Sequence, residues 1–118
     1  MANQIQYAVT WTIHEGKLEE FKTLAAEASA LVESNEPDML GYHWYLNADE
    51  MECTLIEQFP SAEHILVHLG NVGATLGKLL EVSGIKIDVY GDIGDEARAA
   101  VDPLGAIYHP HLMGFSRY

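Results

Sequence analysis

The chain has 118 residues, of which 48% are hydrophobic and 20% are charged. This length and composition predict one globular domain over residues 1–118 and exclude a disordered or collagen-like chain. Eighteen acidic residues against six basic ones give a formal net charge of -12, with no cluster of Lys and Arg. Nucleic acids and anionic membrane surfaces bind through such clusters, so we expect neither as a partner.

Cysteine content and hydropathy indicate a cytoplasmic protein. The single cysteine, Cys53, excludes an intrachain disulfide, which fits a reducing compartment. Residues 1–5 lack the pattern of a secretory signal, and no run approaches the roughly 18 apolar residues of a membrane-spanning helix. Cys53 lies in an apolar stretch without a cationic neighbour in sequence, which favours a buried structural thiol over a nucleophile.

The first half of the chain predicts a strand, a helix and a hairpin. Apolar and polar residues alternate over Ile5–Ile13, the period of a strand with one buried face. Helical spacing follows from about Lys17 to about Asn35, and Pro37 cannot continue that helix. Residues 39–47 and 52–59 then predict two strands joined by a turn.

The second half predicts a helix, a strand and a loop-rich tail. Ser61 is placed to cap a helix that begins at Ala62, and Gly70 and Gly73 predict a kink or break near Asn71. Residues 85–89 alternate as a fourth strand. In the tail, residues 95–101 predict a short helix and residues 106–108 a short strand.

The order strand, helix, strand, strand, helix, strand predicts an α+β, ferredoxin-like antiparallel sheet with both helices on one face. The core of this domain covers residues 5–91, followed by a C-terminal extension over residues 92–118. We assign to the opposite face a set that is not strongly polar: Met39, His43, Tyr45, Thr54 and Ile56. A two-fold homodimer that stacks the two sheets would cover this surface.

Two histidines four residues apart, His64 and His68, project from one face of the second helix. This spacing can hold a metal ion or form an acid/base pair. The metalloprotease arrangement needs a glutamate after the first histidine, and here Ile65 follows. We therefore expect no metal at these histidines. The alternative to a functional pair is that one histidine is exposed and the other closes a cavity.

Aromatic residues are concentrated in the first two strands, and one carboxylate lies within the third. Core packing explains most of the aromatic residues, whereas a flat pocket for a planar ligand is the alternative. Glu57 is of interest if it points inward, because a buried carboxylate needs a partner or a raised pKa. The aromatic residues are Tyr7, Trp11, Tyr42, Trp44 and Tyr45.

The sequence resembles the antibiotic biosynthesis monooxygenase superfamily, the dimeric α+β barrel proteins that include quinol monooxygenases. The resemblance spans roughly residues 7–90 and is clearest at Gly41-Tyr42, Ile56-Glu57-Gln58-Phe59 and residues 61–69. It implies a homodimer and a ligand cavity between the helices and the sheet. It also implies oxygen addition to electron-rich phenols or quinols without any cofactor.

The resemblance implies that His68 is the catalytic base. The chain contains no glycine-rich phosphate loop or dinucleotide fingerprint, so the sequence does not indicate a nucleotide cofactor. We expect the substrate to contact His64, Tyr42, Trp44, Glu57 and Trp11. A non-catalytic homodimer that binds a small ligand or has a stress or regulatory role is the alternative, because fold alone does not decide function.

Two departures from the family pattern qualify the resemblance. Related members often carry another histidine shortly after this helix, where the chain reads Asn71-Val72-Gly73. Haem-degrading relatives resemble a pattern with asparagine on the first strand and tryptophan on the second helix. The strand here offers Thr10 and Thr12, so haem degradation is disfavoured. The longer tail suggests a segment that reaches over the partner's pocket.

Overall fold

A computed structural model describes residues 5–117 and contains one five-stranded sheet covered by helices. The strands are β1 (Ile5–Ile13), β2 (Gly41–Leu46), β3 (Glu52–Phe59), β4 (Ser83–Tyr90) and β5 (Ile107–His109). The helices are α1 (Leu18–Asn35), α2 (Glu63–Val82) and α3 (Gly94–Val101), followed by a 3₁₀ turn, Asp102–Leu104.

The strand order is β2-β3-β1-β4-β5, which confirms the predicted α+β, ferredoxin-like fold. β1, β2, β3 and β4 pair in antiparallel fashion, whereas β5 joins β4 in parallel. The expectation of a purely antiparallel sheet was therefore wrong at one edge. A chain that leaves β4 and passes through α3 returns in the same direction, and this crossover makes the added strand parallel.

Alternation along the strands separates the two faces of the sheet. In β1 the odd-numbered residues from Ile5 to Ile13 are buried, and the even-numbered ones are exposed or half-buried. In register with them, Tyr7 lies opposite Glu57 of β3 and Val89 of β4. α1 and α2 pack together over this buried face, so the hydrophobic core lies between the helices and the sheet.

α2 is one continuous helix of 20 residues, so the predicted break near Asn71 was wrong. A glycine inside a helix costs about 0.5–1 kcal/mol relative to alanine. That cost is outweighed by an uninterrupted buried stripe that includes Ile65, Val72 and Leu79. Gly70 and Gly73 lie on the exposed side, where a Cβ atom would meet open space.

The start of α2 also differs from the prediction. The helix begins at Glu63 after Ala62, and no side chain caps its first turn. The hydroxyl of Ser61 instead lies 3.1 Å from Nδ1 of His64, so it is engaged by a side chain rather than by the helix backbone.

α2 is also the one helix among residues 5–117 with the length and apolar content to cross a membrane. A single helix of this kind is weak support for a membrane span, because the core helix of a globular protein meets the same criterion. In this structure its apolar stripe packs against the sheet and α1.

The C-terminal segment packs on its own chain. Ile93, Ala97 and Val101 belong to the same buried cluster as β1 and β4. Residues 93–101 therefore pack within their own chain, and the reach of the tail over a partner's pocket stays a prediction.

The sheet face away from the helices carries four of the five side chains assigned to it: His43, Tyr45, Thr54 and Ile56. Met39 was placed there wrongly. It lies before β2 begins and packs against the core cluster.

Candidate functional site

A cavity of about 50 Å³ lies between the covered face of the sheet and α2. α3 and the 3₁₀ turn close one side of it through Val101 and Leu104. The walls are almost entirely apolar and aromatic, apart from Glu57 and His68. The side chains of the sheet that line the cavity are Tyr7, Val9, Trp11, Tyr42, Trp44, Leu55, Glu57, Ile85 and Ile87.

His68 lies between two glutamates in the interior. Its Nδ1 is 3.0 Å from Oε2 of Glu36 and 3.2 Å from Oε1. Its Nε2 is 2.9 Å from Oε1 of Glu57. That oxygen has no hydrogen-bond partner among residues 5–117, so we describe this contact as an ion pair. We call Glu36, His68 and Glu57 the charged triad.

Three separate elements position the charged triad. Glu36 follows the last residue of α1, and its backbone N–H bonds to the carbonyl of Val32 at 2.9 Å. Glu57 is an inward residue of β3. His68 lies on the buried side of α2, and Asn71, one turn later, donates from Nδ2 to Oε2 of Glu36 at 3.3 Å.

The triad is removed from water. The side-chain exposure is 7% for His68, 0% for Glu36 and 5% for Glu57. Burial alone would lower the pKa of His68, but the close contact with Glu57 and the negative charges of Glu57 and Glu36 outweigh it. The net effect raises the pKa of His68 above its ordinary value of 6.5. The two carboxylates therefore favour the protonated form of the imidazole.

Two tyrosines flank Glu57 across the sheet, with Tyr7 opposite it on β1 and Tyr42 opposite it on β2. Burial raises the pKa of both phenols well above the ordinary range, and the negative charge of Glu57 adds to this effect. Both side chains therefore stay neutral at physiological pH. Tyr42 also packs edge-on against His68, with 5.7 Å between the ring centroids.

An aromatic cluster forms the other end of the cavity. Trp11 and Trp44 stack with 6.1 Å between centroids, and Phe21 of α1 packs edge-on against both. The indole N–H of Trp44 donates to the hydroxyl of Ser29 at 2.8 Å. This bond joins β2 to α1 and fixes one wall of the cavity.

The structure brings five of the six predicted site residues together at the cavity: His68, Tyr42, Trp44, Glu57 and Trp11. His64 is not among the lining residues. Its ring contacts Ser61 and lies 3.7 Å from the exposed Asp38. The two histidines of α2 therefore have different partners, and within residues 5–117 no three His, Cys, Asp or Glu side chains are arranged to hold a metal ion.

Sequence reasoning missed the role of Glu36. This residue lies 32 positions before His68, at the end of a helix and next to Pro37, where a charged residue is ordinarily solvated. No periodicity connects the two positions. The involvement of Asn71 is detectable in retrospect, because it follows His68 by three residues on the same helix face.

Comparison with known proteins identifies the family. The sequence profile of the antibiotic biosynthesis monooxygenase family matches residues 6–75, and no curated protein sequence matches the chain significantly. Among solved structures, MupZ from Pseudomonas fluorescens has a TM-score of 0.85 at 21% identity, covering 98% of this chain and 95% of that one.

Shorter relatives share the core of the fold. SnoaB from Streptomyces nogalater, a cofactor-independent oxygenase, has a TM-score of 0.67 at 15% identity, covering 80% of this chain and 97% of its own. Rv0793 from Mycobacterium tuberculosis has a TM-score of 0.69 at 13% identity, covering 79% and 98%. At these identities the structural matches establish the fold, while the profile match covers more than half of the sequence. The chain therefore belongs to the antibiotic biosynthesis monooxygenase family.

Proposed function

We propose that this protein is a cofactor-independent monooxygenase that acts on a small aromatic substrate of the quinol or phenol type. The observation that carries the proposal is the charged triad, buried at the wall of an aromatic-lined cavity. The aromatic walls suit a planar ring, and the triad offers both a proton acceptor and a fixed positive charge.

The raised pKa of His68 changes the role that the resemblance implies for it. A protonated imidazole cannot accept a proton from the substrate, whereas the carboxylate of Glu57, which also lines the cavity, can. In the proposed reaction Glu57 takes the proton of the substrate hydroxyl. The positive charge of His68 then stabilises the resulting phenolate in a site from which water is largely excluded.

The oxidising co-substrate is molecular oxygen. The phenolate transfers one electron to O₂, and the resulting carbon radical and superoxide combine into a carbon–oxygen bond. Cleavage of the O–O bond with loss of the proton on that carbon leaves a carbonyl group. In total, one phenol and one O₂ give one para-quinone and one water, so the substrate supplies every electron.

The cavity volume sets a condition on this reaction. A cavity of about 150 Å³ is the size that accepts benzene, and the cavity here measures about 50 Å³. An aromatic substrate therefore binds only when lining side chains move outward. The half-buried leucines Leu69 and Leu76 of α2 and Leu104 of the 3₁₀ turn line the cavity and can move with little disruption of the sheet.

The test compares turnover of hydroquinones and phenols in air and under argon, with His68→Gln and Glu57→Gln alongside the wild type. The expected result is oxygen-dependent formation of a quinone that has gained one oxygen atom relative to the substrate, reduced at least tenfold by both substitutions. Equal substrate loss with and without oxygen would refute the oxygenase proposal. His43→Gln is the matched control, because His43 lies on the opposite face of the sheet.

The small size of the cavity also favours a second candidate, a non-catalytic protein that binds a small ligand. The two candidates differ in what His68 does. If ligand affinity is measurable while turnover in air stays at the uncatalysed rate for wild type and His68→Gln alike, the binding function is supported and the oxygenase is not.

We also propose that the protein is a homodimer in the cytoplasm. Two features support self-association: the face away from the helices is uncovered, with Tyr45 59% exposed, and the tail exposes Leu112, Met113 and Phe115. The cytoplasmic location is supported by the free, buried Cys53. Light scattering during size-exclusion chromatography is expected to give twice the monomer mass of 13.1 kDa, and Tyr45→Lys is expected to shift the measured mass toward that of the monomer.

A further inference from the structure

Two hydrogen-bond donors in the cavity have no acceptor among residues 5–117: the hydroxyl of Tyr7 and the indole N–H of Trp11. Their side chains are deeply buried, with residue exposures of 4% and 3%. Trp44 provides an internal comparison, because its indole N–H in the same aromatic cluster is bonded to Ser29. An unpaired indole is therefore not a general feature of this cluster.

Burying a donor without a partner is costly, at about 1–3 kcal/mol for each group. Phenylalanine at either position would keep an aromatic side chain without this cost. Core packing therefore does not account for the hydroxyl of Tyr7 or for the N–H of Trp11. A donor that faces a cavity is satisfied when an acceptor occupies that cavity.

The placement of the two donors adds a spatial pattern. Both belong to β1 and point to the same face, four residues apart, which corresponds to about 13 Å between their Cα atoms at about 3.3 Å per residue. Tyr7 lies level with Glu57, beside the charged triad, whereas Trp11 lies level with Cys53, at the end of the cavity away from the triad. The donors therefore enter one apolar cavity from two different positions along β1.

We infer that Tyr7 and Trp11 are the specificity-determining residues of the cavity and that its ligand carries oxygen acceptors at two separate positions on an aromatic framework. The inference rests on the proposed function in one respect, because both assume that this cavity is the ligand site. Carbonyl oxygens fit this role best, because they accept hydrogen bonds in the plane of a ring system without donating any. The ligand class is thus an aromatic dicarbonyl such as a quinone, which in the proposed reaction is the product.

The experiment titrates the protein with 1,4-naphthoquinone and with naphthalene, which has the same fused-ring framework without acceptors. The protein has two tryptophans, so ¹⁵N-labelled protein shows two indole N–H signals, and Trp44→Phe identifies one of them. We expect naphthoquinone to move the Trp11 signal downfield and to leave the Trp44 signal, already hydrogen-bonded, nearly unchanged. We expect naphthalene not to move the Trp11 signal downfield. Titrations under argon separate binding from turnover.

Tyr7→Phe provides the second measurement, with Tyr45→Phe as the matched control on the opposite face. The loss of one hydrogen bond worth about 0.5–1.5 kcal/mol should weaken naphthoquinone binding about 2–12-fold. Naphthalene should bind as well as before or more tightly, because an unpaired donor has been removed.

Equal affinity of wild type and Tyr7→Phe for naphthoquinone, or no preference of the wild type for naphthoquinone over naphthalene, would overturn the inference. The wild-type indole signals decide the question even if Tyr7→Phe does not fold. A downfield Trp11 signal without any oxygen-dependent turnover would support the inference while rejecting the proposed monooxygenase. Oxygen-dependent turnover without a downfield shift of the Trp11 signal would support the monooxygenase and overturn the inference.

Discussion

Replacement of His68 by glutamine tests whether its positive charge holds the interior of the protein together. Glutamine keeps a hydrogen-bonding side chain of similar reach but carries no charge. In the variant, Glu36 and Glu57 would remain buried on either side of a neutral amide. We expect a large loss of stability, because two carboxylates removed from water would have lost their common counter-charge.

The contact distances set the size of the effect. At about 3 Å and an effective dielectric constant of about 20, each pair of unit charges attracts by about 5 kcal/mol. Desolvation of the three groups offsets much of this attraction, and removing one partner from a buried ion pair typically costs about 3–5 kcal/mol. We expect a loss in that range, a large part of the roughly 5–15 kcal/mol that stabilises a typical domain.

The loss should depend on pH in a defined direction. The pKa of His68 is raised in the folded protein above its ordinary value of 6.5. Its stabilisation is therefore fully present below pH 6.5 and is lost as pH rises through the folded pKa. The difference between wild type and His68→Gln should be largest near pH 6 and should narrow at alkaline pH, where the wild-type ring becomes neutral as well.

The assay is urea unfolding followed by circular dichroism from pH 6 to pH 10. The double variant Glu36→Gln/His68→Gln should recover part of the loss, because one unpaired charge is removed. His43→Gln, on the opposite face, should change stability by less than about 0.5 kcal/mol. A folded His68→Gln protein within about 1 kcal/mol of wild type near pH 6 would contradict the assignment of a stabilising charge to this residue.

Three further predictions concern the helix, the cavity and the reaction. Gly73→Ala should stabilise the protein by about 0.5–1 kcal/mol and raise its melting temperature, because the added Cβ meets open space on the exposed side of α2. An unchanged or lower melting temperature would refute this prediction. Leu104→Ala should widen the cavity and tighten naphthalene binding, and it should lower the free energy of unfolding by less than the about 2–5 kcal/mol lost at a fully buried leucine, since Leu104 is half-buried. Calorimetry measures the binding and urea unfolding the stability, and weaker binding would argue against an opening at this position. In the proposed reaction, turnover should fall as pH rises through the folded pKa of His68, because the charge that stabilises the phenolate is lost. A turnover rate that increases with pH through the same range would favour a neutral imidazole acting as the base.

Much of the fold could be predicted from the sequence because alternation and helical spacing report burial directly. β1 was predicted with the bounds that the structure has, and five predicted site residues lie on one cavity. The prediction failed where local propensity competes with tertiary packing. Gly70 and Gly73 indicate a break when α2 is considered alone, but the sheet and α1 bury one face of that helix along its whole length.

Other features could not be predicted, because they depend on contacts between residues far apart in the chain. Glu36 enters the site only through the angle at which α1 ends against α2, and no local pattern encodes that angle. The closure of the cavity by α3 likewise depends on the path of the chain after β4. The direction in which the pKa of His68 shifts depends on both carboxylates, so the sequence suggested a base where the structure favours the protonated ring.

The charge balance of the site connects the apolar cavity with the proposed reaction. Glu57 and His68 are the charged side chains among the lining residues, with Glu36 behind them. A neutral phenol that transfers its proton to Glu57 leaves the total charge of site and substrate unchanged and moves one negative charge by a few ångströms, still beside His68. No ion has to cross the apolar walls, so the step requires little help from solvent. If His68 were neutral, the same transfer would place the phenolate in a site whose remaining charge, on Glu36, repels it. A protonated His68 therefore makes an apolar cavity compatible with an anionic intermediate.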